Sequence, residues 1–149
     1  MKFFSIMLVL VVAVLATVIV FMFLPRSSAN EICLKQNCFE VEVASTEAQR
    51  VAGLSNRDVL PVGTAMLFVF ETEGQYPFWM KDMKFPLDII WISNSGTVVF
   101  IESNAQPCNA AVCVPINQQQ NAKYVLEVNA GNANSSGLKV GDEVEIKIA

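Results

Sequence analysis

Apolar residues are laid out along this chain in two ways. From Phe3 to Leu24 they form one run of 22 residues without a charge, Gly or Pro. As a helix rising about 1.5 Å per residue, the run is roughly 33 Å long, enough for a bilayer core of about 30 Å. Beyond residue 30 the apolar positions alternate with polar ones or come in short blocks, the pattern of strands. Phe39-Glu40-Val41-Glu42-Val43 alternates cleanly and predicts a half-buried strand. Thr46 with Gln49 has the spacing of a capping box, which opens a short helix ending near Gly53-Leu54. Ala65 to Phe70 is continuously apolar, as in a strand covered on both faces. Phe78 to Lys81 predicts a short aromatic-rich strand. Leu87–Ser93 and Thr97–Ser103 flank Asn94-Ser95-Gly96, a hairpin signal. Ala105 to Ala122 reads as a long polar loop, Tyr124 to Val128 as a strand, and Asn129 to Gly141 as a crossing with one helical turn. Val144, Ile146 and Ile148 alternate with Glu143, Glu145 and Lys147 in a last strand. The expected fold is α+β and mainly β: a small barrel or sandwich with one or two short helices, plus an N-terminal transmembrane helix.

Lys2 before the apolar run supplies the positive start that both a cleaved signal peptide and a retained anchor require. Ser27-Ser28-Ala29 offers small residues for cleavage, but the apolar region of a signal peptide is normally about 7–15 residues. The expectation is therefore a signal anchor and linker over residues 1–29, with residues 3–24 in the membrane, and a β-rich domain over residues 30–149. If the segment is cleaved, the domain is secreted. Lys2 on one side and Arg26 with Lys35 on the other nearly balance the positive-inside signal, so the cysteines decide the orientation better.

Cys33, Cys38, Cys108 and Cys113 form two C-x4-C pairs. Local pairs in a chain with an export segment read as two short disulfides, which places the domain outside the cytoplasm on a single-pass anchor. Lys35-Gln36-Asn37 has the composition of a turn that brings Cys33 and Cys38 across a hairpin end. A zinc site usually has tighter spacings and often His, and the chain has no His. A thioredoxin-type redox pair is C-x-x-C. No metal and no cofactor is expected. Residues 30–149 hold eight Lys and Arg against 14 Asp and Glu, a net charge of −6 without a basic run. That argues against nucleic acid and anionic lipid as partners.

Chemistry concentrates in Phe78-Trp79-Met80-Lys81, followed by Pro86-Leu87-Asp88. On a strand, Trp79 and Lys81 share a face, which suits a ligand with an apolar body and an anionic group. The plain alternative is a core Trp with Lys81 lying over it. Asp88 opens a buried strand and needs a partner, for which Arg57 and Lys81 are candidates. Glu127 shares a face with Val125. If that face is inward, Glu127 is a buried carboxylate that also needs Lys81 or Arg57; if outward, it is a solvated charge.

Across Phe39 to Ile148 the chain resembles the domain-of-unknown-function family 192 of bacteria and archaea. The residues that carry the likeness are Arg50 with Gly53-Leu54 and Arg57; Met66-Leu67-Phe68 with Phe70; Phe78 to Lys81 with Pro86-Leu87-Asp88; Tyr124-Val125-Leu126-Glu127 with Asn129-Ala130-Gly131; and Gly137 with Gly141-Asp142. The chain departs from the family pattern at Ser55, Ala65, Asp82 and Met83, where the pattern has Met, Gly, Asn and Thr. The cysteine pairs lie outside the pattern. The resemblance implies a compact, β-dominated fold with a short helix and supplies no activity. It points to Arg57, Trp79, Lys81, Asp88 and Glu127 as a common site.

Three roles remain open on this reading. The first is a membrane-anchored extracytoplasmic binding or accessory module, which the absence of His, of G-x-S-x-G and of a metal cluster favours. The second is a structural or interaction subunit of an envelope complex, in which the same residues form an ion-pair network and a contact face. The third is a small hydrolase, either with Asp88 and Glu127 as an acid/base pair or with Lys81, desolvated by Trp79, as a nucleophile.

Overall fold

Strand alternation beyond residue 30 becomes one curled, seven-stranded sheet. The computed structural model describes residues 30–148. In chain order the elements are β1 (Glu31–Leu34), β2 (Asn37–Ala44), α1 (Glu47–Ala52), β3 (Thr64–Gly74), β4 (Leu87–Ile92), β5 (Val98–Ala105), β6 (Ala122–Asn129), α2 (Asn132–Ser135) and β7 (Glu145–Lys147). The strands lie in the order β5-β4-β6-β3-β2-β1-β7. Among the described residues no helix is long and apolar enough to cross a membrane. The transmembrane helix expected over residues 3–24 falls outside them.

Local chemistry sets the elements. Lys35, at φ 58°, turns the chain between β1 and β2 and sets Cys33 opposite Cys38, where they bond at 2.08 Å. Thr46 and Gln49 complete the capping box of α1, and Gly53 ends it at φ 47°. The helix carries the chain over from β2 to the parallel strand β3. A crossover of this kind is what parallel neighbours require. At the far edges, Val98 N–H donates to the Asp142 carbonyl at 2.8 Å and Val144 N–H to the Gly96 carbonyl at 2.9 Å. These bonds draw the β5 edge toward the segment that enters β7, so the sheet curls into a half-barrel. It is not the two-sheet sandwich that the sequence equally allowed.

The sheet buries both faces. On β3, Ala65 and Leu67 join one core cluster while Met66 and Phe68 join the other. On β4, Ile90 and Ile92 fall in the first, Ile89 and Trp91 in the second. On β6 the division is Leu126 and Val128 against Val125. The two-residue period of a strand separates these sets by itself. The first cluster also takes in Ala133 and Leu138 from the α2 region. The second lies under α1 and the irregular segment 75–86.

That segment corrects one expectation. Phe78 to Lys81 is not a strand of the sheet. Its backbone pairs only with the loop that follows β5, through single bridges of Phe78 with Ile116 and Lys81 with Cys108. Phe78 and Ile116 exchange both hydrogen bonds, and Cys108 N–H donates to the Met80 carbonyl. The loop is closed on itself by Cys108–Cys113 at 2.15 Å. Pro77 and Pro86 flank the segment and lack the N–H that a longer ladder would use.

Candidate ligand-binding site

Between α1, the segment 76–79 and the sheet lies a cavity of about 390 Å³. Its walls follow from the sequence in three ways. The apolar end of β3 turns Phe68 and Phe70 toward it. Tyr76 stacks on Phe70 with ring centroids 3.5 Å apart, and Phe78 meets Phe68 edge-on at 4.9 Å. Fully buried Trp91 fixes this wall from behind: its indole N–H donates to the Tyr76 carbonyl at 2.9 Å, and Phe78 packs edge-on against its ring at 5.6 Å. Gly53 closes the α1 side, where a Cβ would stand 3.5 Å from the Phe68 ring. Pro115 of the disulfide-closed loop completes the rim.

Glu127 reaches this cavity from the sheet. It is 5% exposed, and its cross-strand neighbours are Met66 and Ile89, both apolar and buried. Among the described residues its carboxyl accepts no hydrogen bond. Burial raises its pKa from the ordinary carboxylate range to about 8, against a smaller opposing pull from the Arg57 guanidinium. At neutral pH an empty cavity therefore holds mainly the protonated acid.

The structure divides the other expected site residues. Arg57 does not pair with Asp88 or Glu127. It grips Glu42 with two hydrogen bonds, of 2.7 and 2.8 Å, and this pair raises the pKa of Arg57 and lowers that of Glu42. Lys81 pairs with neither acid. Its ammonium lies over Trp79, 6.0 Å from the ring centroid, and both side chains are exposed. Trp79 stands between the cavity and a smaller cleft formed with Lys81, Asp82 and Asn56. The two hollows also share Val51, Ala52 and Ser55, so they adjoin.

Asp88 stands apart from this site. It is 1% exposed, and its two oxygens accept the N–H groups of Asn104 and Ala133 at 2.8 Å each. It fastens the end of β5 and the start of α2 to β4. Asp88 is registered with Val128, and Glu127 with Ile89, so the two acids point to opposite faces of the sheet. The acid/base pair imagined for a hydrolase does not exist. The Lys81 nucleophile also lacks its premise, because an exposed ammonium is not desolvated.

Sequence reasoning missed Arg50, Phe70 and Tyr76 as cavity residues. Arg50 donates to the carbonyl of Val69 at 3.0 Å and lies 5.1 Å from the Phe70 ring centroid. Its place three residues before Gly53 was a usable signal, since Gly53, at φ 47°, ends the helix beside Phe68. Tyr76 had no such marker.

A mainly-β half-barrel with two short helices is the class that these elements define. The chain belongs to the DUF192 family, described as an uncharacterised ACR, whose model matches residues 30–146. Two solved structures are similar over 82% of this chain, each with a TM-score of 0.70. One is a protein of unknown function from Novosphingobium aromaticivorans, 30% identical and covered over 89% of its length. The other, from Sinorhizobium meliloti, is described as a candidate transcription regulator; it is 31% identical and covered over 97%. No curated protein matches the chain.

Proposed function

We propose that this chain is an extracytoplasmic binding module, tethered to the membrane through residues 3–24, whose cavity takes a small ligand with an apolar body. The observation that carries this reading is Glu127: a buried carboxyl without a hydrogen-bond partner among the described residues, opening onto an aromatic-walled cavity. Its oxygens are not sealed in the core, since among the described residues the buried side-chain polar atom without a partner is Gln118 Nε2; a carboxyl that opens onto such a cavity is placed to meet a polar group of a ligand. Cavities lined by aromatic side chains with one or two placed polar groups are the usual form of small-molecule sites. Lys81, beside Trp79 in the adjoining cleft, meets an anionic group on the same ligand. The two disulfides fit an oxidising compartment. The −6 charge of residues 30–149 speaks against DNA as the partner, whatever the description of the Sinorhizobium relative.

Native mass spectrometry of the full-length chain, purified under oxidising conditions in mild detergent, tests the reading. A bound small molecule that is lost in Trp79→Ala and Glu127→Gln supports it. An adduct-free protein that also fails to bind any member of an aromatic fragment set contradicts it. One observation favours the interaction-subunit alternative: Val112 and Val114, in the disulfide-closed loop, are 79% and 80% exposed. Under that alternative, Val112→Ser with Val114→Ser releases a membrane partner and leaves fragment binding unchanged.

A further inference from the structure

The geometry points to an organic ammonium as the group that Glu127 receives. This inference rests on the cavity being a ligand site, and three observations carry it. First, the protein supplies Glu127 with no partner charge in contact. Arg57 is held by both oxygens of Glu42. Arg50, the cation on the cavity wall, is engaged by the carbonyls of Ser45 and Val69. Second, Phe68, Phe70, Tyr76, Phe78 and Trp79 all line the same cavity. The negative faces of aromatic rings favour cations, and two rings of this wall already carry one: Arg50 lies 5.1 Å from the Phe70 centroid and Lys81 6.0 Å from the Trp79 centroid. Third, Glu127 has the buried apolar residues Met66 and Ile89 as its cross-strand neighbours, and an ion pair beside such apolar surroundings is stronger than in water.

Burial that holds the empty site as the neutral acid gives binding a distinct signature. The ammonium replaces the proton: the acid ionises, the proton leaves to solvent, and the carboxylate pairs with the ligand's nitrogen. The other charged or titratable groups around the cavity are Arg50 and Glu47 from α1, Arg57 beyond it, and Tyr76. None of them is in hydrogen-bond contact with Glu127 among the described residues, so the released proton is assigned to Glu127.

Three probes with one aromatic body separate the possibilities: 2-phenylethylammonium, 2-phenylethanol and 3-phenylpropionate, titrated calorimetrically into the full-length chain. The expected result is a cation bound at least tenfold more tightly than the alcohol, an advantage lost in Glu127→Gln. Between pH 6 and pH 7 the cation's affinity should rise close to tenfold while the alcohol's stays flat, because one proton is displaced. Heats measured in two buffers of different ionisation enthalpy should report that proton. If the alcohol or the carboxylate binds as tightly as the ammonium, or if no proton is released, the ammonium assignment is wrong and the cavity reading stands. If none of the three binds, the ammonium assignment fails, and the cavity reading falls with it when the wider aromatic fragment set also fails to bind. A thermal melt of Glu127→Gln confirms that its loss of preference is not loss of fold.

Discussion

Asp88 and Glu127 lie on adjacent strands one register step apart, and both are almost wholly buried. Their surroundings differ in one respect. Asp88 faces the α2 side and has two backbone N–H donors, one on each oxygen. Glu127 faces the α1 side and has Met66, Ile89 and a cavity. Donors to the ionised form compensate the burial of a carboxylate, and without them burial drives the proton back on. The comparison distinguishes a carboxylate that builds the fold from one that the fold tolerates. Sequence position alone gave both residues the same standing in one shared site.

Substitutions sharpen the contrast, beginning with the largest effect. Asp88→Ala leaves the N–H groups of Asn104 and Ala133 without their acceptor and detaches α2 from β4. A loss of roughly 3 to 5 kcal/mol is expected, read as a large drop in Tm. Glu127→Gln should act in the opposite direction. The folded-state pKa of Glu127 lies above its unfolded value, so the unfolded chain releases the proton first as pH rises. Wild-type stability is therefore fullest below about pH 4.5 and declines toward about pH 8 on account of this group. Removing the titration should stabilise the protein by roughly 3 kcal/mol at pH 7 and by little at pH 4, measured by urea melts at both. A Glu127→Gln variant that is destabilised equally at both pH values would break the comparison.

Smaller effects lie away from the two acids. Thr46→Ala removes the cap of α1, the helix that roofs the cavity, and should cost about 1 kcal/mol in a thermal melt. Arg57→Ala should cost less than about 1 kcal/mol, because both partners of its bidentate bond to Glu42 are more than a third exposed and screened by solvent. A double-mutant cycle with Glu42→Ala measures that coupling. Were Arg57→Ala to prove as damaging as Asp88→Ala, Arg57 would have to belong to the buried network rather than to the surface.

Much of the fold was legible because it is local. The alternation of β2, the β4–β5 hairpin, the Thr46–Gln49 capping box and the two cysteine pairs each depend on residues within a few positions of one another. Strand Glu31–Leu34 was not predicted, and Phe78–Lys81 was read as a strand that the sheet does not contain, for the opposite reason. The first is short and defined by its pairing to β2 and β7, and the second is committed to a loop 27 to 38 residues away. The site was legible only in part. Alternation placed Glu127 with Val125 on one face, but which layer covers a face is a tertiary fact. The partner of Arg57 is Glu42, 15 residues distant on β2 and outside the motifs. Tyr76 enters the cavity through its stacking on Phe70 and the hold of Trp91 on its carbonyl, neither of which leaves a periodic trace.

The central claim is that Glu127 is an unpartnered acid facing an open cavity. Carbon-13 NMR of the Glu127 carboxyl, followed from pH 4 to pH 10 in the full-length chain with Glu127→Gln for assignment, tests it most directly. A single midpoint near 8 is the predicted result. A midpoint in the ordinary carboxylate range would mean that Glu127 has a donor or cation of its own within the protein, and would contradict the account.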